Sequence, residues 1–208
     1  PSGVTEVEER AVIEAGLQAG ARKVYLAEEA VVAAIGAGLD IAKPEGHFVV
    51  DIGAGTTDAA VISLSGIVQT ESIKVAGDAF NSAIIKYIRR HHSILIGEAT
   101  AEELKRTIGC VFPRPETTFL EVKGRCLMTG LPRLVTISSS DMIEAFDETS
   151  QRILDAIHAV LEDTPPELVG DISENGIVLT GGGSLLYGFD KLVENSTGIR
   201  TRVADDAE

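Results

Sequence analysis

The chain has 208 residues, enough to bury a sizeable core in one domain or two. Its formal charge of −14 argues against general binding to nucleic acid, whose phosphates need a basic face, and disfavours electrostatic docking on anionic lipid. Hydrophobic content of 44% and charged content of 24% are ordinary for a globular protein, and no apolar run approaches the roughly 20 residues of a membrane span.

The opening PSGVTEVEER has no basic region followed by an apolar core, so a secretory leader is not expected. Without an initiator Met, the chain reads as an internal piece of a longer one. Cys110 and Cys126 are expected as reduced cytosolic thiols.

In chain order, Thr5 and Glu8 have capping-box spacing, and Val7, Ala11, Ala15 and Leu17 continue a helical pattern that Gly20 stops. KVYLA, residues 23–27, reads as a short strand. Residues 28–40 form a small apolar helix whose first turn carries Glu28 and Glu29, both suited to the helix dipole. Strands are expected at 47–52, 57–64 and 67–74, with Ser65-Gly66 turning between the last two. Such short connections demand antiparallel neighbours. The first two are nearly continuous apolar runs, so both of their faces are covered.

Helical periodicity returns over 77–92, and Thr100 with Glu103 is spaced as a capping box for a helix to 109. Strands follow near 117–124 and 133–138, and residues 76–140 read as a smaller lobe inserted into the first. Residues 140–163 form a long amphipathic helix with Ile143, Phe146, Ile153, Leu154, Ile157 and Leu161 on one stripe, ended by Pro165-Pro166. A buried strand at 176–180, a triple-glycine break, a helix over 184–195 and a strand at 199–204 complete an α/β layer structure.

Two breaks carry chemistry. In VVDIGAGTTDAAVISL, residues 49–64, two glycines, two threonines and flanking acids exceed what a plain hairpin needs. Gly53 and Gly55 let a phosphate approach the backbone, Thr56 and Thr57 offer donors, and Asp51 at the strand end can hold a water on a phosphate-bound Mg²⁺. The second break, IVLTGGGSLL, follows a strand and is expected to open a helix. It is not a dinucleotide fingerprint, because Leu186 stands where the third glycine belongs, and no P-loop motif occurs anywhere.

These segments resemble the second phosphate motif and the adenosine motif of the actin-like ATPases: actin, the DnaK-type chaperones and sugar kinases. PSGVTEVEERAV, VYLAEEAVVAAIGAGL, YIRRHHSILIGEATAEELK, GLPRLVTISS and TPPELVGDISENGIVLTGGGSLLYGFDKL are similar, in order, to MreB and Mbl, the bacterial actins. The resemblance implies an α/β actin-like (ribonuclease H-like) ATPase domain with a smaller inserted α+β lobe, binding ATP and Mg²⁺. It gives Glu29 the role of orienting the attacking water, Thr56 a second water-positioning role, and Asp51 the Mg²⁺-bound water. Gly53, Ala54, Gly55, Thr56 and Thr57 become the phosphate turn. Gly181, Gly182 and Gly183 would line the adenine pocket with Gly77 and Asp78 nearby, and Glu102, Lys105 and Arg106 would contact the nucleoside, against the alternative that these three form a solvated helix face.

The implied division is 1–27 as a remnant of the first lobe, 28–45 as interdomain helix and linker, 46–75 with 141–208 as the nucleotide-binding core lobe, and 76–140 as the inserted lobe. Two departures bear on hydrolysis: Ala30 replaces the usual Pro after Glu29, and Ala54 replaces a glycine and needs a negative φ. Only one Asp-x-Gly hairpin is present, so the chain resembles the adenosine half, expected to bind nucleotide weakly and turn it over poorly alone. The family's function is ATP-dependent self-association into filaments at the inner face of the cell membrane. These act with wall-synthesis and membrane morphogenesis proteins, and membrane contact is made through parts absent here. The alternatives are a small-molecule kinase, a chaperone-type ATPase and a scaffold that binds ATP without hydrolysing it. His91 and His92 read as basic compensation at a helix C-terminus, and isolated His47 and His158 suggest no zinc site. LMTGLPRL, residues 127–134, is either a filament contact or a local core.

Overall fold

A computed structural model of the protein describes residues 4–207. Residues 1–3 and 208, included in the expected first-lobe remnant and core lobe, lie outside the described residues. The central sheet is built on β1 (His47–Ile52), flanked on one side by antiparallel β2 (Thr57–Ser63) and β3 (Gly66–Ile73). On its other side lie parallel β7 (Ile177–Thr180) and β8 (Thr201–Val203).

The apolar run of β1 is explained by its central place. Side chains alternate between faces with period two. Phe48, Val50 and Ile52, with Ala59 and Val61, enter one core with the helices α3 (Gly77–His92) and α5 (Ser139–Asp163). Val49, with Ala60 and Ile62, enters a second core against Ala30 and Ala34 of α2 (Glu29–Gly36). Both faces are covered, as the continuous hydrophobicity requires.

A smaller antiparallel sheet contains β4 (Ile94–Leu95), β5 (Phe119–Cys126) and β6 (Pro132–Ser138), with α4 (Glu98–Ile108) beside it. The larger apolar core runs without a break from the central sheet through α3 and α4 to Val122 and Ile137 of this sheet. At its centre Phe80 of α3 meets Phe146 of α5 edge-on at 4.9 Å and Phe189 of α7 (Phe189–Thr197) at 6.3 Å, tying three helices together. α1 (Glu6–Gln18) has the expected capping box between Thr5 and Glu8, and Gly20 follows its end with φ +99°.

Several expectations differ from what is found. Residues 23–27 form no strand, and Tyr25 is 82% exposed. Apolar alternation holds a strand only where a neighbour completes its ladder, and none pairs there among the described residues. The hairpin turn is Leu64-Ser65, one residue earlier than Ser65-Gly66, because both residues adopt left-handed φ (51° and 62°) as a type I′ loop needs. The strain is offset by Leu64 N–H donating to Lys43 O (3.1 Å) and Ser65 N–H to Ile41 O (2.7 Å).

α4 starts at Glu98 after Gly97 with no side-chain cap, so Thr100 and Glu103 lie inside the helix rather than at its start. The capping box used is instead Ser138 with Asp141, opening α5. Pro166 not only stops α5 but opens α6 (Pro166–Asn175), where its fixed φ suits the first helical position. After β7 the glycines form a 3₁₀ turn (Gly182–Leu185), and the helix waits until Phe189. Val111 N–H donates to Tyr187 O (3.0 Å), which draws residues 186–188 out of helical geometry, and Gly188 turns the chain at φ +80°.

Candidate functional site

Three segments meet at the C-terminal end of β1. The first is the loop after it. Gly53 N–H donates to Thr56 O (2.9 Å), closing the turn between β1 and β2. The first amides of α3 then take two of its carbonyls: Gly77 N–H donates to Gly53 O (3.1 Å) and Asp78 N–H to Ala54 O (2.8 Å). The turn is thereby fixed on one side and open on the other, with Ala54 and Gly55 exposed.

Neither Gly53 nor Gly55 has positive φ, so the glycines here supply space rather than an unusual backbone. A Cβ at Gly55 would meet nothing within 4 Å. Ala54 likewise avoids positive φ, as its replacement of a glycine requires. Thr57 departs from its expected part. Its hydroxyl is buried and donates to Val75 O (2.7 Å), bracing β2 against the segment that leads into α3 rather than facing the open side of the turn.

The second segment is the glycine run. Gly181 has φ +79° and lies directly against Asp51 Oδ1 and Ile52 O, and Gly183 packs on Ile52. Any side chain at Gly181 would collide with the strand end, so the run sits flat on β1. Ser184 Oγ donates to Gly181 O (2.7 Å) and holds the 3₁₀ turn.

The third segment is α4. Lys105 Nζ donates to Glu102 Oε2 (2.7 Å) and to Gly77 O (3.2 Å), joining α4 to the start of α3. The hydrogen bond from Lys105, followed by one from Asn81, holds the Glu102 carboxyl below the ordinary glutamate range.

These segments enclose one cavity of about 690 Å³, within the range of small-molecule sites. Of the residues singled out in the sequence, it is lined by Gly53, Ala54, Gly77, Asp78, Glu102, Lys105, Arg106, Gly182 and Gly183. Gly55, Thr56, Thr57 and Gly181 belong to the same turns without lining it, and Asp51 and Glu29 are also outside its lining. Asp51 lies beneath Gly181, and its carboxyl is pushed up to about 6, by burial first and then by the negative charges of Glu29 and Asp58. This places Glu29 in the same electrostatic neighbourhood.

The surplus negative charge and hard oxygen donors around Asp51 suit a divalent cation. No three acids, histidines or cysteines converge as a metal cage among the described residues. Mg²⁺ fits such a place because it keeps water and phosphate ligands and takes only one or two carboxylates from the protein.

Sequence reasoning missed the far end of the cavity, which is lined by Gly109, Arg114, Leu185, Leu186 and Tyr187. The Arg114 guanidinium sits 4.5 Å over the Tyr187 ring, and its Nη2 donates to Gly109 O (3.1 Å). Residues 114 and 187 are brought together where Cys110 bridges Tyr187, which no local spacing announces. The histidines stay away from the cavity: His91 Nδ1 lies 3.1 Å from Tyr87 O in the last turns of α3, and His158 pairs with Ser196.

The family model described as MreB/Mbl protein matches residues 1–208. Cell shape-determining protein MreB of Escherichia coli (strain K12) is 50% identical over 206 residues, covering 99% of this chain and 59% of the relative. Cell shape-determining protein Mbl of Bacillus subtilis (strain 168) is 46% identical over 206 residues, covering 99% and 62%. The chain thus spans about three fifths of the length of these curated relatives. The crystal structure of MreB5 of Spiroplasma citri bound to ADP superposes with TM-score 0.97 at 42% identity, covering 100% of this chain and 63% of that one. The same protein bound to AMPPNP matches with the same score and identity, covering 100% and 62%. The MamK double helical filament, at 20% identity and TM-score 0.82, shares the fold.

Proposed function

The chain belongs to the MreB/Mbl family of bacterial actins, and on that premise we propose that it is the adenosine side of an ATP-binding protein whose filaments determine cell shape. The observation that carries this reading is the cavity that begins at Gly53 and Ala54 of the open turn and ends at Leu185, Leu186 and Tyr187. Polar backbone at one end and flat apolar surface at the other match a nucleotide's two ends. MreB5 of Spiroplasma citri, bound to ADP and to AMPPNP, has the same fold over the whole of this chain.

In this reading the turn at Ala54, Gly55 and Thr56, open on one side, cradles the β- and γ-phosphates. Gly181, Gly182 and Gly183 admit the flat base, Glu102, Lys105 and Arg106 face the nucleoside, and Gly77 and Asp78 close the cavity beside them. Asp51 would hold Mg²⁺ through water, and the ion would supply charge neutralisation on the phosphates. Glu29, with its charge beside Asp51, and Thr56 orient the attacking water. Thr57 holds the turn in shape. Hydrolysis depends on positioning from both sides of the nucleotide, so these 208 residues alone bind it weakly and turn it over poorly.

The filaments are proposed to lie at the inner face of the cell membrane and to organise wall synthesis with membrane morphogenesis proteins. Pelleting at high speed tests the reading, with and without Mg·ATP, on the full protein that carries this sequence and on its Asp51→Ala variant. ATP-dependent pelleting that the variant loses is the expected result. A protein that consumes ATP yet stays in the supernatant would replace the filament reading with that of a small-molecule kinase.

A further inference from the structure

A second recess of about 530 Å³ adjoins the main cavity and shares Asp78 and Glu102 with it. Its lining includes Asn81 of α3, which is only 6% exposed. The Asn81 amide nitrogen donates to Glu102 Oε2 at 2.8 Å, and its Oδ1 is buried with no partner. A carboxylate only accepts, so this contact fixes which way the amide is turned. Burying an amide with one end unsatisfied is costly, and a fold keeps such a group where its other end is needed.

What that end does follows from Glu102. Its Oε2 receives two donors, Asn81 Nδ2 from α3 and Lys105 Nζ from its own helix, while its Oε1 has no hydrogen bond among the described residues. The Lys105 side chain alone is a flexible tether three residues along α4; the buried amide on a different helix removes the remaining torsional freedom. Along α4 the cavity runs from Lys105, against Gly77, to Gly109, against Leu186. Glu102 therefore stands on the side of the phosphate turn, away from the flat end, where a nucleotide presents its sugar hydroxyls. An ionised, immobile carboxylate oxygen at that place can accept from a hydroxyl and cannot accommodate a phosphate.

We propose that Asn81 is a positioning residue that, with Lys105, pins the Glu102 carboxylate so that Oε1 reads the vicinal hydroxyls of the nucleoside sugar, and that this contact sets a preference for ribonucleotides over 2′-deoxyribonucleotides. The inference rests on the nucleotide-site reading above and adds to it a residue and a specificity. Asn81 does not itself touch the nucleotide.

The test compares dissociation constants for ATP and 2′-deoxy-ATP, by equilibrium titration, in the full protein and its variants. The unaltered protein is expected to favour ATP by about tenfold, the scale of one hydrogen bond to a charged group. In Asn81→Ala and in Glu102→Gln the preference falls to about twofold or less. Asn81→Asp keeps the shape but cannot donate and repels Glu102, so it should lose the preference as well; it carries the test if the alanine variant does not fold. A variant that weakens both nucleotides equally and keeps the tenfold preference would reduce Asn81 to a packing role and overturn the inference. An unaltered protein that binds both equally overturns it too, while leaving the nucleotide site standing. Failure to bind either nucleotide removes the site itself.

Discussion

The two ends of the cavity are built by different means. At the end proposed for the phosphates the walls are main chain, the 53–56 turn and the first amides of α3 locked by backbone hydrogen bonds, and the glycine run laid on β1 leads from there toward the other end. At the other end the walls are side chains brought from distant segments, with Arg114 laid over Tyr187 beside Leu185 and Leu186. Backbone walls are rigid and intolerant of added atoms, whereas side-chain walls adjust. The first kind suits a part that must meet invariant phosphates, and the second a part where affinity can be tuned by substitution.

The contrast predicts a graded series. The largest effect is expected at Gly181, where φ is +79° and a Cβ would collide with Asp51 and Ile52. Gly181→Ala should lower the unfolding free energy by about 3 kcal/mol or more in a urea titration. A loss under about 0.5 kcal/mol would mean that the glycine run does not lie on β1 as described.

Next is Lys105, which links α4 to Gly77 through its ammonium. Lys105→Met keeps the apolar stem and should weaken ATP about tenfold to a hundredfold with little change in melting temperature, because charge-assisted bonds to the site are lost. Adenosine, which keeps the nucleoside that Lys105 is proposed to face, should weaken in a similar ratio, and unchanged adenosine binding would place Lys105 on the phosphates instead.

Asp51 gives a smaller effect of opposite sign. Its carboxyl titrates near 6 in the folded protein, above the ordinary aspartate value of about 3.9. Between those two pH values the folded state binds more protons than the unfolded, so stability from this group falls as pH rises through that window and stays low above it. Without nucleotide, Asp51→Asn should therefore stabilise the fold at pH 7.5, by about 1 kcal/mol once solvent screening of this half-buried group is allowed for. The gain should vanish in melts at pH 4. A destabilised variant at pH 7.5 would show that the carboxylate has a structural partner rather than a surplus of negative charge.

The smallest effect is expected at Arg114. Arg114→Ala removes the stacked guanidinium, and ATP affinity should fall about threefold to fivefold, the worth of a modest, half-buried cation–π contact and its packing. Titration with adenosine should show the same ratio, because the loss is confined to the base end.

How far the sequence discloses the molecule follows the same division. The central strands were legible because β1 is apolar on both faces and Asp51-x-Gly53 breaks it sharply. The break at 53–56 was legible as a turn because local glycines, threonines and acids sit within eight residues. Arg114 and Tyr187 were not, since 73 positions separate them and a bridge at Cys110, outside any regular strand, brings them together. Residues 23–27 misled because strand-like composition says nothing about whether a partner strand exists. The hydroxyl of Thr57 misled for a related reason: it can serve a ligand or the backbone, and Val75 O claims it. Asn81 gave no sign at all, because a buried amide inside an amphipathic helix acquires meaning only from the helix beside it.

The central claim, that both ends belong to one nucleotide site, is tested most directly by calorimetric titration of the full protein with Mg·ATP, adenosine and inorganic triphosphate. ATP should bind at least about tenfold more tightly than either part, and each part should compete with it. If ATP binds no more tightly than adenosine, or triphosphate fails to compete, the turn at 53–56 does not hold phosphates and the two-ended site is wrong.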